Sequence, residues 1–358
     1  MKAAAPRVLM VGPALEGRGG VAAVVAVLRD GGLFERESVR YVATHAGGTR
    51  WRKAASALRG FWQTARACLL ARPAIVHAHS ASRASFARKS LLLAIARAAG
   101  CKTIFHLHGG GFQQFADVES GALMRRWIRH TLEQSSRVIA LSEGWAQFLR
   151  GFAPRARVAI VPNSVPLPLL PDVANEEPGR VLFLGRAEAA KGIDELLAAV
   201  AALAPRFPEL RLAIGGDGDL AGVRARAGQL GIAGRVELLG WMGPRARDAE
   251  LARAAVFCLP SHAEGLPMSM LEAMAAAKAV VVSKVGGIPE TITDHDNGLL
   301  VPPRDSAALA SALAEVLSDA ALRARLARRA RATVEQRYST EVVGEQLASI
   351  YRELAGAK

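Results

Sequence analysis

Short apolar runs alternate with longer helical segments along this chain; the pattern stops at a cluster of prolines and then starts again. The first series contains Arg7–Val11, Ala74–His77, Thr103–Leu107 and Arg137–Leu141, separated by Ala-, Leu- and Arg-rich stretches of helical period. Pro162, Pro166, Pro168, Pro171 and Pro178 then fall within 17 residues and read as a linker. The runs resume at Arg180–Gly185, Arg211–Ile214, Val236–Leu239, Val256–Leu259 and Ala279–Ser283. Parallel strands need a crossover for each pairing, so repeated strand–helix alternation implies parallel sheets with helices on both faces. Two series in 358 residues imply an α/β chain of two Rossmann-like parallel-sheet domains facing a cleft. The expected boundaries are 1–168 for the first domain, 169–179 for the linker and 180–337 for the second, with a helix at 338–358 packing back on the first. In such sheets ligands bind beyond the carboxyl ends of the strands, so the loops after them are where chemistry is expected.

Composition narrows the classes. Hydrophobic residues make up 51% and charged residues 22%, which excludes a disordered chain. No apolar run reaches the roughly 20 residues of a spanning helix, because the longest candidate, Leu91–Ala99, is preceded by Arg88 and interrupted by Arg97. No secretion signal is read at the N-terminus, and Cys68, Cys101 and Cys258 fit neither a disulfide framework nor a zinc site, which points to a reducing, cytoplasmic compartment. Charge is unevenly divided: residues 1–170 hold 24 Lys and Arg against 8 Asp and Glu, the rest 22 against 24. Residues 51–100 carry nine cations and no acid, which suggests an anionic partner for the first half. Nucleic acid is not favoured, since no recognised motif is present and aromatics are only 5%.

Four loops stand out. Gly17, Gly19 and Gly20 open an apolar helix after the first strand, where backbone N–H groups could approach a phosphate or sugar. This is not the dinucleotide pattern, because the next strand ends Tyr41-Val42-Ala43-Thr44 without the acid that holds a ribose; turn-making alone explains the glycines equally well. In Phe105-His106-Leu107-His108-Gly109-Gly110-Gly111, His108 stands at a strand's carboxyl end, where it could orient a sugar hydroxyl. His77, His79 and His106 read as isolated packing residues, and no spacing fits a metal template. Arg186 and Lys191 lie five residues apart on a loop leading into a helix and make a natural diphosphate clamp.

The segment from Pro260 to Ala275 is the sharpest. Gly265 turns the chain, Pro267 suits a first helical turn, Glu264 precedes the helix and Glu272 lies within it. Eight helical residues rise about 12 Å, more than the ~5–9.5 Å between paired glycosidase carboxylates. The two acids therefore address different parts of one long ligand, and a nucleotide sugar has that shape. Asp217-Gly218-Asp219 looks like a metal-binding D-x-D, but acids opening a helix are the simpler explanation.

Arg186 with Lys191-Gly192, Gly216-Asp217-Gly218, Glu264 and Glu272 around Gly265-Leu266-Pro267, Gly286-Gly287-Ile288-Pro289-Glu290 and Asn297-Gly298-Leu299-Leu300-Val301 occur in an order that resembles the retaining GT-B glycosyltransferases of family 4. The first half agrees more loosely, through Gly19-Gly20, His108-Gly109, Ser142 and Pro162-Asn163, with Ser164-Val165-Pro166 where the family usually has Gly-[Val/Ile]-Asp. The resemblance implies a metal-independent hexosyltransferase with no cofactor and a UDP- or GDP-linked sugar as donor. It assigns the diphosphate to Arg186 and Lys191, the ribose to Glu272 and the donor sugar to Glu264 and the Gly265-Leu266 backbone. His108 is placed beside the reacting bond, so His108 and Glu264 are the catalytic candidates; Gly19, Gly20 and Pro267 join the donor-binding set.

Trp51, Ala55, Leu58, Trp62, Ala65 and Leu69 recur at helical spacing among Arg50, Arg52, Lys53, Arg59 and Arg66. A basic amphipathic helix of this kind either packs on its sheet or docks on an anionic membrane surface. With the resemblance, the second option implies a lipid-linked saccharide acceptor in exopolysaccharide or glycolipid assembly and a peripheral position on the inner face of the cell membrane. The competing functions are a GT-B nucleotide-sugar epimerase and a noncatalytic nucleotide- or anion-binding module.

Overall fold

The computed structural model describes residues 7–15, 17, 19–45, 47, 49–170 and 175–356, and of Arg50 only the backbone. Glu16 and Arg18 of the first glycine loop, and the linker residues 171–174, lie outside the described residues. The chain divides into two compact units, one running to Ser164 and resuming at Thr340, the other spanning Val165–Ser339.

The first unit contains β1 (Val8–Gly12), α1 (Gly20–Asp30), α2 (Leu33–Arg36), β2 (Val39–Ala43), α3 (Arg50–Arg66), β3 (Ile75–Ser80), α4 (Ala84–Ala98) and β4 (Lys102–Leu107). It continues with α5 (Phe112–Gln114), α6 (Ala122–Glu133), β5 (Arg137–Ala140), α7 (Glu143–Phe152) and β6 (Val158–Ile160). The six strands form one parallel sheet in the order β2-β1-β3-β4-β5-β6. Side chains alternate across it. Leu9, Val11, Val76, Ala78, Phe105, Leu107, Val138 and Ala140 join one apolar core with the inner faces of α4, α6 and α7. Phe86 fills the middle of that core, edge-on to Phe105, Phe112 and Trp127. The alternate residues, His77, His79 and His106 among them, lie on the opposite face. Cys68, Cys101 and Cys258 are free, buried thiols, and burial pushes Cys68 up to about 12.

The second unit contains β7 (Arg180–Leu184), α8 (Ile193–Leu203), β8 (Arg211–Gly215), α9 (Leu220–Gln229), β9 (Val236–Gly240) and α10 (Pro244–Arg253). It is completed by β10 (Val256–Leu259), α11 (Met268–Ala275), β11 (Ala279–Ser283), β12 (Leu299–Val301), α12 (Ser306–Ser318) and α13 (Ala320–Arg337). Its sheet is also parallel, in the order β12-β11-β10-β7-β8-β9. α14 (Thr340–Leu354) returns the chain to the first unit, where it meets α1, bonds Tyr351 to His77 and pairs Glu353 with Arg137. Among the described residues no helix is long and apolar enough to cross a membrane.

Candidate active site

In the second unit the loops after β7, β8, β10 and β11 are knotted together by backbone contacts. Ala187 N–H donates to the Asp217 carbonyl at 2.7 Å, His262 N–H to the Ala190 carbonyl at 2.9 Å, and Gly287 N–H to the Gly265 carbonyl at 2.8 Å. Glycine is required where these loops cross: a Cβ on Gly192 (φ +71°) would stand 2.0 Å from the Pro260 carbonyl oxygen, and one on Gly286 (φ +56°) 2.0 Å from that of Glu264. The sequence motifs are thus mostly packing instructions that bring their charged neighbours to one place.

Lys191 and Glu264, 73 positions apart, meet there: the Lys191 ammonium donates to Glu264 Oε1 at 2.6 Å, and the Ser261 hydroxyl to the same oxygen at 2.7 Å. Both charged side chains are largely covered, 24% and 11% exposed. Arg186 is not part of this pair; its side chain is 64% exposed and lies 3.6 Å from Glu188. Glu272 projects from α11 and accepts from Arg247 of α10 at 2.6 Å. Burial pushes the Glu272 carboxyl up and Arg247 pulls it back. Arg247 and Glu195 were not legible in the sequence, since each lies on a helix with no distinguishing spacing, and Ser261 and His262, although inside the Pro260–Ala275 segment, find their partners at 2.7 and 2.9 Å only through the fold.

Two expectations are corrected here. Pro267 is not in the first helical turn: it is the extended N-cap residue, and α11 begins at Met268. The path from Glu264 to Glu272 is therefore only partly helical, so the 12 Å helical separation does not apply. Gly265, Leu266 and Pro267 are buried between the two acids. Asp219 caps α9 by accepting from Gly222 N–H at 2.9 Å, as expected of an acid opening a helix.

In the first unit Gly19 is the N-cap of α1, and the space around Gly19 and Gly20 is open. His108 follows β4, half-buried, with its ring on that of His106 at a centroid distance of 4.0 Å. His77, His79 and His106 are not isolated packing residues. They form one cluster with His108, because pairing of His79 opposite His106 places residues 77, 79, 106 and 108 on one face. His77 Nδ1 is 2.6 Å from the Tyr351 hydroxyl, His77 Nε2 is 3.1 Å from His106 Nδ1, and His79 Nδ1 is 2.8 Å from His108 Nε2. Burial holds His108 down to about 3, opposed by its hydrogen bond with Asn163. Nitrogens of His77, His79 and His106 lie within 4.8 Å of one another. The rings of these three lie at interplanar angles of 11–32° to one another.

Comparison with known proteins agrees with this fold. Residues 171–333 match the family model for glycosyl transferases group 1, and residues 6–168 that for glycosyltransferase family 4. The chain is 38% identical over 206 residues to phosphatidyl-myo-inositol mannosyltransferase of Mycolicibacterium smegmatis, covering 55% of this chain and 52% of that protein. It is 33% identical over 175 residues to alpha-D-kanosaminyltransferase of Streptomyces kanamyceticus, covering 49% and 45%. The chain thus spans about half the length of these relatives. Its fold is similar to that of sucrose-phosphate synthase from Thermosynechococcus elongatus, with TM-score 0.82, 21% identity, and 99% and 100% of the two chains covered. It is also similar to Anabaena HepE solved with UDP-glucose, with TM-score 0.77, 20% identity, and 97% and 99% covered. With family models matching both halves and two parallel six-stranded sheets, the chain belongs to the family 4 (group 1) glycosyltransferases of GT-B fold.

Proposed function

We propose that the protein transfers a hexose, with retention, from a UDP- or GDP-linked sugar to a hydroxyl of a lipid-linked saccharide acceptor. The observation that carries the donor half of this reading is the Lys191–Glu264 pair held where the loops after β7 and β10 of the second sheet cross, with Glu272 on the helix that follows paired to Arg247. Lys191 and the exposed Arg186 supply the charge that meets a diphosphate, and Glu272 on α11 meets the ribose. Glu264 and the Gly265-Leu266-Pro267 turn meet the donor sugar. Fixed cations offset the charge of the leaving diphosphate, so no metal is needed for it, and the use of Asp219 as a helix cap supports that. In the first unit Gly19, Gly20 and His108 complete the reading, His108 as a neutral imidazole that meets a sugar hydroxyl. A solved neighbour, HepE, holds UDP-glucose.

The acceptor half rests on α3. Trp51, Leu58, Trp62 and Leu69 are 61–86% exposed, so this stripe is not packed on the sheet. The side that packs is small: Gly60, Thr64 and Ala67 are buried. A row of solvent-facing tryptophans and leucines among Arg52, Lys53, Arg59 and Arg66 suits an anionic lipid surface, on the inner face of the cell membrane. The test is to incubate nucleotide sugars with the protein and a lipid extract and follow release of nucleoside diphosphate. One donor is expected to release UDP or GDP faster with the extract, with or without a chelator, and to give a product of retained anomeric configuration. Conversion of the donor to another nucleotide sugar without release would replace this reading by the epimerase.

A further inference from the structure

Lys89 occupies a position that should be apolar. α4 turns Phe86, Leu92, Leu93 and Ala96 into the core of the first unit, and Lys89 lies on that same buried face with 2% of its surface exposed. Its ammonium donates to the Thr44 hydroxyl, which itself donates to the Gly12 carbonyl at 2.9 Å. Gly12 and Thr44 are the carboxyl ends of β1 and β2, where an open parallel sheet binds ligands. Arg88 lies beside it, and its Nε is buried without a hydrogen-bond partner. Among the described residues no carboxylate pairs with Lys53, Arg88 or Lys89, whereas Arg180 and Lys278, buried like Lys89, are each paired with an acid. His45 follows Thr44; burial lowers its pKa first, then the Arg88, Lys53 and Lys89 cations each lower it further. Burial and Arg88 also hold the Lys89 ammonium down to about 7, so the site gains by acquiring negative charge.

We propose that Lys89 and Arg88, bordered by Lys53 and His45, form a phosphoryl-binding site at the ends of β1 and β2 that holds the phosphate or pyrophosphate of the acceptor. Among the described residues these basic side chains have no acid paired with them, and such a set matches a multiply charged oxyanion better than a single carboxylate. Its residues belong to the first unit, whereas Lys191 and Arg186 belong to the second. The identity of the anion as part of the acceptor rests on the transferase reading above; the site itself does not.

The experiment is calorimetric titration of the full chain with inorganic pyrophosphate and with an alkyl pyrophosphate, carried out in a Lys191→Ala background so that the second unit's cations contribute little. Lys89→Met and Arg88→Gln are each expected to lower pyrophosphate affinity at least tenfold while UDP or GDP affinity in the otherwise unaltered chain changes less than twofold. Lys89→Met is expected to melt no lower than the unaltered chain, because it replaces an uncompensated buried cation by an apolar side chain of similar length. Pyrophosphate affinity that is unchanged in both variants overturns the site, as does a chain that binds no pyrophosphate at all. An alkyl pyrophosphate that binds no better than buffer, beside inorganic pyrophosphate that binds, overturns its assignment to the acceptor. Nucleotide affinity insensitive to Lys191 and Glu272 overturns instead the donor reading, and leaves the Lys89 result standing.

Discussion

Lys191 and Arg186 stand five residues apart but do different work, and their burial says how. Lys191 closes on Glu264 at 2.6 Å with three quarters of its side chain covered, whereas Arg186 projects into solvent. Lys191→Ala is expected to weaken nucleoside diphosphate binding by about 1.5–3 kcal/mol and also to lower the melting temperature, because it leaves a mostly buried carboxylate unpaired. Arg186→Ala is expected to weaken binding without a change in melting temperature, checked by calorimetry and thermal denaturation side by side. Glu264→Gln should spare affinity for the bare nucleotide and lower turnover of the sugar donor; Glu272→Ala should lower the first. Lys191 and Glu264 drew attention in the sequence because their glycine and proline neighbours have positions that only a few backbones satisfy, and the fold brings these two together while Arg186 stays in solvent. Arg247 did not, because an arginine on a polar helix looks like any other until the fold brings it to Glu272. His77, His79 and His106 were misjudged one by one for a related reason: strand alternation gives the face, but only the pairing of β3 with β4 gives the neighbour.

That cluster makes an element-scale prediction. Burial lowers His77 to about 3, and His79 and His106 well below their ordinary value. Below pH about 6.5 the unfolded chain protonates these rings while the folded chain does not. The unfolded state then binds more protons, so stability is full above that pH and is lost as pH falls, by up to roughly 1.4 kcal/mol per pH unit for each ring. The melting temperature is expected to be flat from pH 7 to 8 and to fall between 6.5 and 4.5, and to fall less steeply in His106→Asn. A second element, α3, reverses the usual relation between apolar and buried. Its large residues face water and its packed side is small, because Gly60 lets the helix approach β2: a Cβ there would stand 2.6 Å from the Ala43 carbonyl oxygen. Periodicity in the sequence found the stripe and could not say which side of the helix touched the sheet. Trp51→Ser with Trp62→Ser should leave stability within about 0.5 kcal/mol, as for other surface substitutions. Sedimentation with vesicles of acidic lipid should fall in the same variant, and unaltered protein should be released at high salt.

At the scale of the whole molecule, the repeated strand–helix alternation specified both parallel sheets, and the strands it missed are β6 and β12, three residues each and too short to show a period. The positive charge of the first half and the near neutrality of the second suit the proposed division, in which the first unit takes a phosphorylated acceptor at a lipid surface and the second a nucleotide sugar. The claim on which both halves depend is that the second unit holds a nucleoside diphosphate. Titrating UDP and GDP into the intact chain, and into Lys191→Ala and Glu272→Ala, tests it most directly. One of the two nucleotides is expected to bind, and each substitution to weaken it by about 10- to 150-fold; binding of neither nucleotide, or undiminished binding in both variants, would contradict it.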